Sequence, residues 1–256
     1  PWGKGFPGWH LECSVIAREN LGDQIDLHTG GIDHIPVHHT NEIAQTESLT
    51  GKKPFSRMWF HNNFIKVDGA KLSKSLNNSY LLEDIEKKGF SLDAFKLLVL
   101  SSHYRTEGNF TWDILEAAQN RLRKWQSIID LSWQPVFGSG PEPISGGEFK
   151  EELLGIISND LDTPRALAYI DHILEEFSKT NFCDICLHAV AMNIEKVLGI
   201  ELNIDDISDE QKELLSLRQK ARHDKDFAES DRLREELKSS GLDIRDTDNG
   251  QIWSRV

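Results

Sequence analysis

No apolar run in the sequence approaches the ~18 residues that cross a bilayer, and its first residues carry no secretory signal pattern. A membrane partner is therefore not expected, and the expected setting is cytoplasmic. Cysteine is scarce: three in 256 residues, an odd number spread widely, which argues against a disulfide framework. Positive charge is also short. Lys and Arg number 29 against 42 Asp and Glu, a formal net charge of −13. That excludes a chain that binds nucleic acid through bulk basicity, although a local patch outweighs the total. Leu217 to Lys238 is such a patch, with seven Lys and Arg against six Asp and Glu. An initiator methionine is lacking, and Gly5-Phe6-Pro7-Gly8-Trp9 has no strand before it to anchor a sheet. The sequence is accordingly expected to be a fragment of a longer protein.

What is present is ordinary globular composition, 38% hydrophobic and 28% charged. The chemistry concentrates between Cys13 and Ser75. His38 and Glu42 are four apart, which on a helix places both side chains on one face. Cys13 comes from an earlier element. Thiolate sulfur, imidazole nitrogen and carboxylate oxygen are all zinc donors, and three of them leave a coordination position open. The plainer reading makes Cys13 a small buried hydrophobe and the histidines polar residues at a helix start. On spacing alone the two stand level. Lys71-Leu72-Ser73-Lys74-Ser75 is either a solvated basic turn or a phosphate-binding loop.

Residues 1–80 read as the tail of an α/β domain. Trp9 to Glu19 is expected as a helix with Leu11, Val15 and Ile16 on one side. Gln24 to His28 is a short buried strand ending at Gly30-Gly31. Ligands of open α/β sheets lie at the carboxyl ends of strands, which draws attention to His28, Gly30, Gly31 and Asp33; a plain turn is the alternative for the glycines. Phe64 to Val67 alternates as a strand, and Asp68-Gly69 is a turn signal. Beyond it, helices are expected at Phe95 to Leu100 and after Thr111, with Trp112 and Trp125 as core residues. Another helix is expected at Asp162-Thr163-Pro164, with Thr163 as the N-cap. Residues 135–147 are a Pro- and Gly-rich linker. Cys183-Asp184-Ile185-Cys186 lacks a second pair and sits between helical flanks, so a structural role is expected. Asp209 to Ser239 reads as charged helices with Phe227, Ala228 and Leu233 to Leu237 on an apolar stripe. Short strands then flank Asp248-Asn249-Gly250, a hairpin signal. Trp253 suits either a core or a base-stacking role.

Four motifs occur in order: Gly8-Trp9-His10-Leu11-Glu12-Cys13-Ser14, Thr29-Gly30-Gly31-Ile32-Asp33, His38-His39-Thr40-Asn41-Glu42-Ile43-Ala44-Gln45 and Lys71-Leu72-Ser73-Lys74-Ser75. With Ala221 to Ala228 and Ser230 to Arg234, the set resembles a class I cysteinyl-tRNA synthetase over nearly the whole chain. The last motif resembles the class I KMSKS signature with Leu72 replacing Met. The resemblance implies a partial Rossmann-like catalytic domain, then mainly α-helical tRNA-binding domains and a small α/β C-terminal unit. It implies boundaries at 1–80 for the second half of the catalytic domain, 81–130 for a stem-contact connection, 131–205 for a helical bundle and 206–256 for an anticodon-binding-type unit. The family's HIGH-type motif is missing.

The same resemblance implies that L-cysteine and ATP with Mg2+ form cysteinyl-adenylate, and that the cysteinyl group passes to the 3′ end of tRNA(Cys), by a monomer. It assigns Cys13, His38 and Glu42 to one Zn2+ per chain, with a fourth ligand from the missing half. It assigns Lys74 and, more weakly, Lys71 to catalysis on the leaving pyrophosphate. Lys71, Ser73, Lys74, Ser75, Gly30, Gly31 and Asp33 are ATP-binding, and Trp9 and His28 lie by the cysteine. As an isolated fragment the chain is expected to be inactive. Two other readings compete: the zinc-dependent cysteine ligase of mycothiol synthesis, which lacks the C-terminal unit, and a zinc-stabilised tRNA-binding module without catalysis.

Overall fold

The computed structural model describes residues 3–5, 8–71, 78–134, 144–179, 184–247 and 250–255. Its internal contacts divide the chain into two compact units, Pro1–Lys71 with Tyr104–Asn109, and Leu72–His103 with Phe110–Val256.

The first unit begins with helix α1 (Trp9–Leu21), closed by Gly22 at φ 95, a left-handed value suited to glycine. Strand β1 (Ile25–Gly31) runs parallel to β2 (Ser56–Asn62), in register from Ile25 opposite Ser56 to Gly31 opposite Asn62. Parallel neighbours need a long crossover. Here it is a 3-10 turn (Ile32–His34), one wide π-type turn (Ile35–His39) and helix α2 (Thr40–Thr50). Strand β2 is not marked in the sequence by its own alternation; its pairing with β1 defines it. The outcome for α1 also differs from its pattern. Leu11, Val15 and Ile16 face solvent, and Ser14 is buried instead. Ser14 Oγ donates to Gln45 Oε1 of α2 at 2.8 Å, so this side of α1 is the one that meets α2. Leu27 and Met58 on the two strands are exposed as well.

Strand β3 (Ile65–Val67) leads into the Asp68-Gly69 turn. Both residues have positive φ, 51 and 72, and Val67 and Ala70 exchange two 2.9 Å backbone hydrogen bonds across them. This is the two-residue hairpin turn that an Asp-Gly pair signals. Strand β4 (Gly108–Phe110) pairs with β3.

The second unit is helical. It comprises α3 (Leu82–Lys87), α4 (Leu92–Leu100), α5 (Trp112–Ile129), α6 (Gly146–Ser158), α7 (Thr163–Lys179), α8 (Asp184–Leu198), α9 (Asp209–His223) and α10 (Phe227–Ser239). Thr111 caps α5 by accepting the Ile114 N–H, the role expected of a Thr at that position. Leu115, Leu122, Trp125 and Ile129 of α5 are buried, as are Phe149 and Leu153 of α6 and Ile170, Leu174 and Phe177 of α7. At α7 the cap is Asp162, not Thr163. Asp160 and Leu161 both take left-handed φ, 56 and 55, reversing the chain one residue earlier, so that Asp162 Oδ1 accepts the Arg165 N–H. Cys186 lies on α8; Cys183 and residues 135–143 lie outside the described residues.

The chain closes with the antiparallel pair β5 (Leu242–Thr247) and β6 (Gly250–Arg255). Trp253 is buried with Ile207, Leu237, Leu242 and Ile244, so its role is core packing. Phe227 is exposed and leaves the stripe expected for it, whereas Leu233 and Leu237 are buried. Arg218 of α9, 1% exposed, holds Asp246 in a two-pronged ion pair at 2.9 and 3.0 Å and donates to Gln251 Oε1. That hydrogen bonding holds the Asp246 carboxyl below its ordinary value. A lowered folded pKa means the stabilisation is fully present above the unfolded carboxylate pKa of about 3.9, and is lost as pH falls through the folded value. The stability gap between the chain and Asp246→Asn is therefore expected to narrow between pH 7 and pH 3, measured by urea unfolding at each pH. A gap independent of pH would show that the carboxylate charge is not what Arg218 holds.

Candidate metal and nucleotide site

The crossover from β1 to α2 sets the geometry. The wide turn at Ile35–His39 places two consecutive histidines, His38 and His39, in buried positions before α2. Such turns recur at functional sites because they break the regular one-face spacing. Glu42, one turn on, is fully buried. Cys13 of α1, His38 and Glu42 each offer one ligand atom within 4.8 Å of one another. The structure thus brings together the three residues singled out by spacing.

The carboxylate of Glu42 is held on one side only. Its Oε2 accepts from His28 Nε2 at 2.7 Å, and its Oε1 has no hydrogen-bond partner, with His38 Nε2 3.5 Å away. An orphaned buried carboxylate oxygen is costly unless something cationic completes it. On its other edge, His38 Nδ1 shares a hydrogen bond with His10 Nδ1 at 2.8 Å. The face of the His38 ring is covered by Trp9, stacked at 3.7 Å and 13°, and Trp9 itself remains 55% exposed. A ligand histidine whose second nitrogen is engaged and whose ring is fixed is the usual arrangement around a metal. The donor set, the orphaned Oε1 and these supports fit Zn2+.

The electrostatics follow from burial and from the Glu42 carboxylate. Burial, then the negative charge of Glu42, push the Cys13 thiol up. Burial pulls His38 down, and pulls His39 down to about 4, so both rings are neutral at pH 7 with a lone pair available. A bound cation would invert the effect on the thiol.

Residues that the sequence reading did not single out surround these. His39 Nδ1 shares a 2.7 Å hydrogen bond with His61 Nε2 of β2, and Trp59 stacks on His28 at 4.7 Å. Six of the ten histidines, at 10, 28, 34, 38, 39 and 61, fall in the first 61 residues, a compositional signal that was legible. His28 lies against Glu42. Gly30 is required by this packing: a Cβ there would meet His39 Cε1 at 2.6 Å and His34 Nδ1 at 2.8 Å. A Cβ on Gly31 would collide with Asp33 Oδ1, and Asp33 is exposed at the strand end. Lys71 follows the Asp68-Gly69 turn; Ser73, Lys74 and Ser75 lie outside the described residues.

Comparison with known proteins places this geometry in a class. Residues 1–120 match the family model described as the tRNA synthetases class I (C) catalytic domain, and residues 205–253 match the cysteinyl-tRNA ligase anticodon binding domain. The Mycobacterium tuberculosis methionyl-tRNA synthetase in complex with methionyl-adenylate shares the fold, with TM-score 0.50 and 17% identity over 76% of this chain and 45% of that one. The fold is that of class I aminoacyl-tRNA synthetases. Among curated proteins, the cysteine–tRNA ligase of Finegoldia magna is 39% identical over 100% of this chain and 57% of its own length. That of Chlamydia muridarum is 38% identical over 100% of this chain and 58% of its own. The chain is similar to cysteine–tRNA ligases over its whole length, and it spans little more than half the length of these relatives.

Proposed function

We propose that the chain is the part of a cysteine–tRNA ligase that carries the amino-acid-selecting metal, one of the two ATP signatures and the tRNA-binding region. The observation that carries this reading is the Cys13–His38–Glu42 cluster with its orphaned Glu42 Oε1. Cys13, His38 and Glu42 would hold Zn2+, with His10 and His28 fixing the orientation of His38 and Glu42. With a fourth ligand from the remainder of the protein, zinc held there would still accept a further soft ligand, which separates a thiol from a hydroxyl far better than pocket size does. Trp9, stacked on His38 with its other face open, walls the side where cysteine would sit. His28 would stand by the cysteine too, through Glu42. Gly30, Gly31 and Asp33, at the carboxyl end of β1, would approach the adenylate, with Asp33 by the ribose. Lys71 and Lys74 would neutralise charge on the leaving pyrophosphate and its Mg2+ complex. The tRNA(Cys) partner would lie along the helical unit, its anticodon at residues 206–256.

The exposed apolar residues of α1, β1 and β2 support a further α/β layer over this unit in the working enzyme. The isolated chain is accordingly expected to give no cysteine-dependent ATP–pyrophosphate exchange. Joined to the N-terminal portion of the Finegoldia magna relative, it is expected to exchange, and Lys74→Ala to lower that rate at least ~100-fold, the cost of one transition-state charge contact. No exchange by the joined protein, or full exchange by Lys74→Ala, would overturn the reading.

A further inference from the structure

Three side chains at four-residue steps form a stripe that starts in the last turn of α5 and runs past its end: Gln126 is in α5, Asp130 opens the 3-10 turn Asp130–Trp133 that follows, and Gln134 comes directly after that turn. Each engages backbone of the C-terminal region. Gln126 Nε2 donates to the Asn203 carbonyl at 2.9 Å, and Gln126 Oε1 accepts the Asn203 N–H at 2.8 Å. Gln134 does the same to Trp253, donating to its carbonyl at 2.7 Å and accepting its N–H at 2.9 Å. Between them Asp130, fully buried, accepts the Arg255 N–H at 3.0 Å, the Arg255 guanidinium and Gln126 Nε2. The Arg255 guanidinium also donates to the Asp205 carbonyl, and Trp133 Nε1 to that of Ile204.

Two primary amides thus satisfy both backbone groups of two residues that lie fifty positions apart in the sequence. Asn203 is where the chain enters it and Trp253 is where β6 leaves it. On the free edge of β6 the stripe does what a neighbouring strand would do. Carboxamides suit this because they offer one donor and one acceptor in a plane, matching a peptide group. A helix-to-unit contact made only of apolar side chains would hold the unit without fixing its register. Here directional contacts are added to the apolar ones, and the central one is a buried charge pair whose partners cannot slide apart without leaving a carboxylate unpaired.

We infer that Gln126, Asp130 and Gln134 are positioning residues that fix the orientation of residues 205–255 on the end of α5, and so set where the C-terminal unit meets tRNA relative to the helical bundle. The inference rests on the proposed tRNA-binding function. Residues that only stabilised the unit would change how much protein is folded. Residues that orient it change which RNA a folded protein prefers, because the helical unit and the C-terminal unit must contact one RNA at once.

The test uses the 256-residue chain with two transcripts, tRNA(Cys) and the same tRNA with its anticodon replaced, and measures the affinity of each by filter retention. The wild-type chain is expected to prefer the first. In Gln134→Leu, which keeps bulk but removes both hydrogen bonds to Trp253, the preference is expected to fall about tenfold. Affinity for the anticodon-replaced transcript should change less than twofold, and amide protection along β5 should persist. Gln134→Glu keeps the acceptor for the Trp253 N–H and is expected to retain part of the preference. If Gln134→Leu loses protection on β5, the hairpin has unfolded, and Asp130→Asn, of the same shape, carries the test with the same expected fall. An unchanged preference in a folded variant overturns the inference. Absence of any preference in the wild-type chain overturns the tRNA-binding reading itself, a distinct result.

Discussion

Cys13→Ser is expected to lower the zinc affinity of the chain by more than ~100-fold, beyond the 10–100-fold typical of losing an outer-shell partner. The serine hydroxyl has nearly the shape of the thiol, so the fold has no reason to change. What changes is donor chemistry: a thiolate is a soft, readily ionised ligand, and a hydroxyl is neither. His28→Ala serves as the graded control. His28 does not belong to the Cys13 cluster but holds Glu42 Oε2 at 2.7 Å, so its loss is expected to cost within the outer-shell range. Competition with a chromophoric chelator, with circular dichroism on the same samples, gives both numbers. Equal zinc affinity in Cys13→Ser and wild type would remove Cys13 from the site. If His28→Ala instead cost more than ~100-fold while Cys13→Ser cost little, the metal would sit in the second possible donor group, His28 with His39 and Glu42.

Trp125→Ala should destabilise the helical unit by about 3–5 kcal/mol, the range for truncating a buried large aromatic. Trp125 is 1% exposed in the centre of α5. Its Nε1 donates to Asp171 Oδ1 at 2.6 Å, and the same carboxylate takes both prongs of Arg121. Truncation removes the packing and one of three donors to Asp171. Trp125→Phe is the milder variant. It keeps one aromatic ring and loses the N–H with the rest of the indole, so at least about 1.5–3 kcal/mol is expected, the value of a hydrogen bond to a charged group. The midpoints of urea unfolding by circular dichroism report both variants. A cost for Trp125→Ala below that of Trp125→Phe would mean that the residue contributes a polar contact and no core.

The elements that could be read from the sequence are those whose local signal agrees with their surroundings. Thr111 before an amphipathic run gives α5, and Asp68-Gly69 gives a left-handed turn, because a cap and a turn are settled within four residues. The reading failed where a distant partner decides. Strand β2 has no alternation of its own and exists through its ladder to β1. Which side of α1 meets α2 is shown only by the Ser14–Gln45 hydrogen bond between them. The α7 cap moved by one residue because Asp160 and Leu161 turn the chain before it.

At the site, the sequence by itself determined the donor types and their order: a thiol, then an imidazole and a carboxylate one helical turn apart, then a Lys-x-x-Lys loop. Those are local facts of residue chemistry and helical period; on their own they left the metal reading level with a plainer one, and the family resemblance rests on the ordered motifs around them. Only the tertiary structure decided that Glu42 is buried with one oxygen unpaired, that His10, His28 and Trp9 are what hold the donors in place, and that Gln126, Asp130 and Gln134 grip backbone far along the chain. The physical reason is that burial and hydrogen-bond partnership are properties of pairs of residues. A pair distant in sequence leaves no trace in the spacing of either member.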